Sequence, residues 1–299
     1  NRQSHIDQEI EKEEQMQRML SLVAVAVVLG LGVTAWAADS TLEKINRTGV
    51  FTVGTRTASP PFGYINKQNE WVGFSVDLAK LVHKTIEKKL GKSIKFELKE
   101  SQPATRIPLL SSGAVDLIAG TMTDTRPRRD SVDFSLTFFV TGSQFLVKEG
   151  SPIRGIQDIT GKRVGAQQGS TQERALRERG VQAQLVIFPD QAVAFTALVQ
   201  GRVDTFANDG IQLWGLKYKA PNPNEWKVVG DFYTYEPYGM AMRKNDSDFR
   251  AVVNNALMEA IEDGEYFKLY DKWFGPKSET PYPMTDSVKS FLTYQVVPK

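Results

Sequence analysis

Short apolar runs in this chain stop abruptly at polar residues. The clearest case is VDLIAG (115–120), which opens onto Thr121-Met122-Thr123 and then Arg126, Arg128 and Arg129. A run of that length bounded by glycine reads as a buried strand of a parallel sheet. Between such runs lie stretches with helical spacing, and this alternation restricts the chain to an α/β architecture.

Local signals support that reading. Ser40-Thr41-Leu42-Glu43 is a capping box opening a short helix that Gly49 closes. GVFTVGT (49–55) follows as a strand, FSVDLAKLVHKTIEKKLG (74–91) as a helix ending at Gly91, and IKFELKE (94–100) as an alternating strand. Residues 106–112 read as a short helix. A second unit starts near FLVKEG (145–150), with strands in RVGAQQ, QLVIF and RVDTFAND and helices in STQERALRERG and QAVAFTALVQG. YGMAMRK (238–244) is a further strand, and two helices are expected after it, the second containing EYFKLYDKWFG. The pattern implies two α/β lobes that share their connecting strands.

With 299 residues the chain can bury a large core and has room for about two domains. A net charge of +2 without a basic block gives no electrostatic case for nucleic acid. Residues 19–33, MLSLVAVAVVLGLGV, are preceded by Arg18 and followed by the small-x-small pattern Ala35-Trp36-Ala37. That is the layout of a secretory signal peptide, and the run is short for the ~20 residues of a membrane span. The acidic stretch DQEIEKEE (7–14) does not suit a signal, so Met16 or Met19 is a candidate initiator and residues 1–37 are set apart from the fold. The expected location is the periplasm. With no cysteine, neither disulfides nor thiol chemistry is available.

The polar residues that end the apolar runs carry the functional reading. Thr55-Arg56, Thr121-Met122-Thr123, Gly169-Ser170-Thr171 and Asn208-Asp209 all fall at carboxyl ends of expected strands. Open α/β sheets bind ligands there. Ser170-Thr171-Gln172-Glu173 reads as a second capping box, whose helix would aim its amino end at the cleft. Taken singly, the box is ordinary capping, an arginine is usually a solvated surface group and Asp209 suits a turn; Arg126 and Arg129 fit the surface role.

The segments GTRTASPPFGYINKQNEWVGFSVDLAKLV, TRIPLLSSGAVDLIAGTMT with the following arginine and VDFS, GKRVGAQQGSTQE and GRVDTFAND occur in this order across residues 40–275. They resemble the periplasmic amino-acid-binding proteins of ABC importers, and within them the glutamate/aspartate binders. The resemblance implies a two-lobed fold with a mixed sheet in each lobe and a two-strand hinge near 143–147 and 236–240. Residues 38–144 and 238–299 would form lobe 1, and 145–237 lobe 2. It also implies a membrane permease partner and a monomeric carrier.

By the same resemblance Thr121 and Thr123 are ligand donors of lobe 1. Arg128 grips the α-carboxylate with Ser170 and Thr171, Asp209 receives the α-ammonium, and Phe62 packs beside the ligand. Arg56 and Arg106 face a side-chain carboxylate. Pro103 stands where acidic-ligand relatives often carry serine, with Ser101 nearby, and Gln191 stands where they carry histidine. A glutamine ligand therefore stays open beside glutamate and aspartate. The physical chemistry agrees, because a zwitterion leaving water needs a partner for each charge and arginine offers a planar fork to carboxylate.

An enzyme on the same fold is the competing reading, a dehydratase with Glu173 as its acid. The capping position of Glu173 accounts for it structurally. His83 lies in an amphipathic stretch and suits a helix face. No metal-ligand spacing, nucleophile elbow or phosphate loop is present, so no catalytic residue, metal or cofactor is expected.

Overall fold

The computed structural model describes residues 40–298 together with Met16; the signal segment read from the sequence otherwise lies outside the described residues. From residue 40 onward the chain forms one compact unit. In order it runs α1 (Thr41–Thr48), β1 (Val50–Thr55), β2 (Ala58–Ser59), β3 (Gly63–Ile65), β4 (Trp71–Val72), α2 (Phe74–Leu90), β5 (Lys95–Glu100), α3 (Arg106–Ser111), β6 (Leu117–Ile118), α4 (Arg126–Arg129) and β7 (Val132–Thr141). The second half runs β8 (Ser143–Lys148), β9 (Arg163–Gln167), α5 (Thr171–Glu178), β10 (Gln184–Phe188), α6 (Gln191–Val199), β11 (Thr205–Asp209), α7 (Gly210–Lys219), β12 (Trp226–Val229), β13 (Glu236–Arg243), α8 (Ser247–Glu262), α9 (Glu265–Phe274) and α10 (Asp286–Tyr294). Two short 3₁₀ turns complete it.

The strands form two five-stranded sheets, ordered β5-β1-β6-β13-β7 and β10-β9-β11-β8-β12, and a small β2-β3-β4 sheet. β1, β5 and β6 run parallel while β13 is antiparallel to both neighbours. β9, β10 and β11 run parallel while β8 returns antiparallel. Each large sheet is mixed and flanked by helices, giving the expected two-lobed α/β fold. The chain leaves the first sheet at Gly142 and re-enters it at Glu236.

Local signals work as the sequence implies. Ser40 and Glu43 form their reciprocal capping box, and Gly49 and Gly91 end α1 and α2 in the left-handed conformation. VDLIAG pairs as a strand only over Leu117–Ile118. Three helices follow β13 where two were expected; the third, α10, buries a single residue, Leu292.

Packing follows the strand period of two. On β8, Phe145 and Val147 face a cluster with Val164 and Ala207, whereas Leu146 faces the opposite cluster with Phe206, Leu213 and Trp226. The first lobe has a larger core that includes Phe62, Phe74, Phe139, Tyr238 and Phe274, and a smaller one around Leu110, Ile118, Met122 and Phe134. Phe62 meets Phe139 and Tyr238 edge-on, at 4.9 and 5.3 Å, an arrangement ring quadrupoles favour, while Phe139 and Tyr238 lie nearer to parallel.

Candidate functional site

β1, β6, β9 and β11 end at the same boundary between the lobes, so their carboxyl ends deliver Arg56, Thr121, Ser170 and Asp209 to one cleft. A small hollow lies there, with a cavity volume of only about 10 Å³ between the closed lobes. Six of the expected residues line it: Arg106, Thr121, Thr123, Ser170, Thr171 and Asp209. Pro103 lines it too, while Ser101 turns back to donate to the Thr55 carbonyl at 3.3 Å. Arg128 borders a neighbouring opening that shares Ser170 and Thr171.

The arginines are held by backbone and amide oxygens. Arg128 donates to the Thr123 carbonyl at 2.8 Å and, across the cleft, to the Gly169 carbonyl at 3.2 Å. Arg106 donates to the Thr121 carbonyl at 3.1 Å, and its Nε has no hydrogen-bond partner among the described residues. Arg56 donates to Ser59 Oγ and to Gln167 Oε1 of the second lobe, each at 3.1 Å, leaving Nη1 without a partner. Burial lowers the pKa of Arg56 and of Arg128 to about 10. Arg106 is pushed well down, first by burial and then by the charges of Arg128 and Arg56. Three guanidinium groups are thus desolvated side by side, an unfavourable arrangement that an added anion relieves. Arg126 and Arg129 are exposed as expected, the latter paired with Asp124.

The acidic side is arranged differently. Asp209 ends β11 and accepts from the Tyr238 hydroxyl at 2.5 Å, Gln172 Nε2 at 2.6 Å and Gln212 Nε2 at 2.7 Å. Burial, followed by the nearby Glu236 carboxylate, raises its pKa to about 8. Ser170 caps α5 by accepting from the Glu173 N–H at 3.1 Å. The reciprocal half of the expected box is shifted: Glu173 accepts from the Gly169 N–H at 2.8 Å, one residue earlier, and its other oxygen holds Arg177. Both Glu173 oxygens are engaged.

Four expected site residues lie outside the lining of the hollow: Arg128 at its neighbouring opening, Arg56, Phe62 and Gln191. Phe62 is fully buried within the aromatic core of the first lobe and reaches the site only through its contact with Tyr238. Gln191 is also fully buried; it accepts from Ser59 Oγ and Asn208 Nδ2 at 3.1 Å and donates to the Ala58 carbonyl at 2.6 Å. It fastens the second lobe to β2 of the first. Nearby, Gly215 of α7 lies so close to β2 that a Cβ would fall 2.1 Å from the Pro60 carbonyl oxygen.

Gln167, Gln172, Gln212, Tyr238 and Glu236 belong to the same network without being anticipated from the sequence. The signal for Tyr238 and Glu236 was weak: an acid and an aromatic flanking Pro237 at the start of a strand. β13 runs beside the 121–124 segment, where the Gly239 N–H donates to the Met122 carbonyl and the Asp124 N–H to the Pro237 carbonyl. His83 sits on α2 and hydrogen-bonds the Ile94 carbonyl at 2.6 Å, a structural role.

Residues 51–276 match the model of the bacterial extracellular solute-binding proteins, family 3. The chain belongs to that family. The L-glutamate/L-aspartate-binding protein of Pseudomonas aeruginosa is 34% identical over 92% of this chain and 94% of its own length. The ABC transporter glutamine-binding protein GlnH of Bacillus subtilis is 34% identical over 85% of this chain and 94% of its own. Among solved structures, an ancestral arginine-binding protein bound to glutamine superposes with a TM-score of 0.70 at 38% identity, covering 76% of this chain and 98% of that one. This family member is therefore an amino-acid-binding solute-binding protein of ABC transport.

Proposed function

We propose that this protein captures glutamate or aspartate in the periplasm, as a monomer exported by its N-terminal signal, and delivers it to the membrane permease of an ABC importer. The observation that carries this reading is the charge inventory of the buried cleft. Once an incoming ammonium ionises Asp209, whose proton burial otherwise holds to about pH 8, Arg56, Arg106 and Arg128 stand against Asp209 and Glu236, which leaves one positive charge. An acidic amino acid carries one net negative charge and brings two carboxylates to guanidinium groups that still have unpartnered N–H groups. A basic ligand would add to the repulsion that already depresses Arg106.

In this reading the α-ammonium meets Asp209 and the α-carboxylate meets Arg128 with Ser170 and Thr171. The second carboxylate meets Arg106 and Arg56, and Thr121 and Thr123 complete the first-lobe side. Phe62 acts through Tyr238, and Gln191 acts as a clasp between lobes. The ligand favours the closed arrangement because it contacts both lobes at once.

Glutamine is the second reading. Arg56 is already satisfied in part by the amide oxygen of Gln167, and a ligand amide could answer it in the same way. A dehydratase has less support, since both Glu173 oxygens are engaged in holding α5. Calorimetric titration with a panel of amino acids tests the proposal. L-glutamate or L-aspartate should bind most tightly; a response to lysine alone, or turnover of prephenate or arogenate, would overturn it.

A further inference from the structure

Three spaces along the cleft share Thr171: the small hollow and two wider recesses on its flank, of about 510 Å³ and 280 Å³. The two recesses have one further lining residue in common, Arg174, one turn into α5. It therefore stands on the rim between the hollow and the outside.

The other arginines of this rim are already committed. Arg177 donates to Glu173 through Nε at 3.2 Å and Nη2 at 3.0 Å, and Arg179 donates to the Tyr233 carbonyl at 2.6 Å. Arg128 holds the Thr123 and Gly169 carbonyls. Arg174 instead makes a loose ion pair, its Nε lying 3.5 Å from Glu178 Oε1, with the two side chains 45% and 66% exposed. A pair of that kind contributes little to stability, so this guanidinium can turn to another carboxylate.

Its charge nonetheless reaches the hollow. Burial is the main influence lowering the pKa of Arg128, and the charge of Arg174 lowers it further against the opposing pull of Glu236. A carboxylate arriving between these two arginines relieves that repulsion. Charges on a cleft rim act chiefly on the rate of arrival and on its salt dependence, and leave the final fit to the buried groups.

We infer that Arg174 is an entry residue, a guanidinium on the rim of the cleft that draws in anionic amino acids before Arg128 takes the carboxylate. The inference rests on the proposed function and adds a kinetic determinant to its charge selectivity. Ligand charge is read twice, at the rim through the association rate and in the hollow through affinity.

Stopped-flow mixing with L-glutamate and with L-glutamine, at low and high salt, tests this. At low salt Arg174→Glu should slow association of L-glutamate about fivefold, the effect of reversing a unit charge roughly 9 Å from the ligand's path in water. Arg174→Gln, which removes the charge without placing a second acid beside Glu178, should slow it about twofold by the same arithmetic. Arg174→Lys keeps the charge and should keep the rate. The differences should vanish near 1 M salt, where the screening length is about 3 Å, and L-glutamine, with no net charge, should associate at nearly one rate throughout. Unchanged L-glutamate association in the acid and amide variants, an equal slowing of L-glutamine, or a slowing that survives high salt would leave Arg174 an ordinary helix-surface residue while the proposed function stands. If the unaltered protein binds L-glutamine and neither acidic amino acid, the proposed function falls and takes this inference with it.

Discussion

The two charged walls of the cleft are built in opposite ways. On the acidic wall every oxygen is engaged: Asp209 receives three donors and Glu236 four. On the basic wall Arg56 and Arg106 are equally buried, yet each retains a nitrogen without a partner. A saturated network is rigid and costs little to keep, whereas an unanswered buried donor costs roughly 1–3 kcal/mol. The acidic wall is therefore preorganised, while the basic wall gains most from an incoming acceptor.

The largest effect should come from removing a principal charge on either wall. Arg128→Ala or Asp209→Ala should abolish binding of every amino acid, since deleting one member of a buried charge pair costs on the order of 3–5 kcal/mol; calorimetry would detect this directly. Retained affinity in Asp209→Ala would break the comparison, because the acidic wall would then be scaffolding alone. A smaller and more selective effect is expected on the basic wall. Arg106→Ala should weaken L-glutamate about tenfold to a hundredfold more than L-glutamine, and equal losses would show that Arg106 does not read the ligand's side chain.

The smallest effect concerns protons. Asp209 holds its proton up to about pH 8 in this arrangement, against about 3.9 in an unfolded chain. The folded state therefore binds more protons than the unfolded one between those values. Its contribution to stability is full below about pH 4 and is lost as pH rises through 8. The melting temperature of ligand-free protein should fall across that window, and Asp209→Asn should flatten the fall. Identical slopes in the two proteins would mean that the lobes of the free protein do not enclose Asp209 as they do here.

The sequence made the scaffold and half of the cleft legible, for a reason visible in particular residues. Arg56 directly follows β1, Asp209 is the last residue of β11, and Thr121 and Ser170 come three residues after β6 and β9, so an apolar run turning polar reveals them. Glu236 and Tyr238 lie at the start of a strand, and their partners Thr123 and Asp209 are 113 and 29 residues away. No local pattern encodes an antiparallel return of that length. Gln172 has no role of its own in the capping box read from the sequence, and only the closeness of Ser143 and Asp209 makes it a link. Phe62 and Gln191 were placed near the ligand by resemblance, whereas their own contacts put one in a core and the other across a seam.

That seam has a consequence for how this carrier could change over time. Gly215 sits inside a helix, where glycine is a poor choice, and the nearest atoms a methyl group would meet belong to Pro60 of the opposite lobe. Any larger side chain there would act as a doorstop: each half could fold undisturbed while the jaws stayed ajar. Affinity could thus be retuned from a point that never touches the cargo.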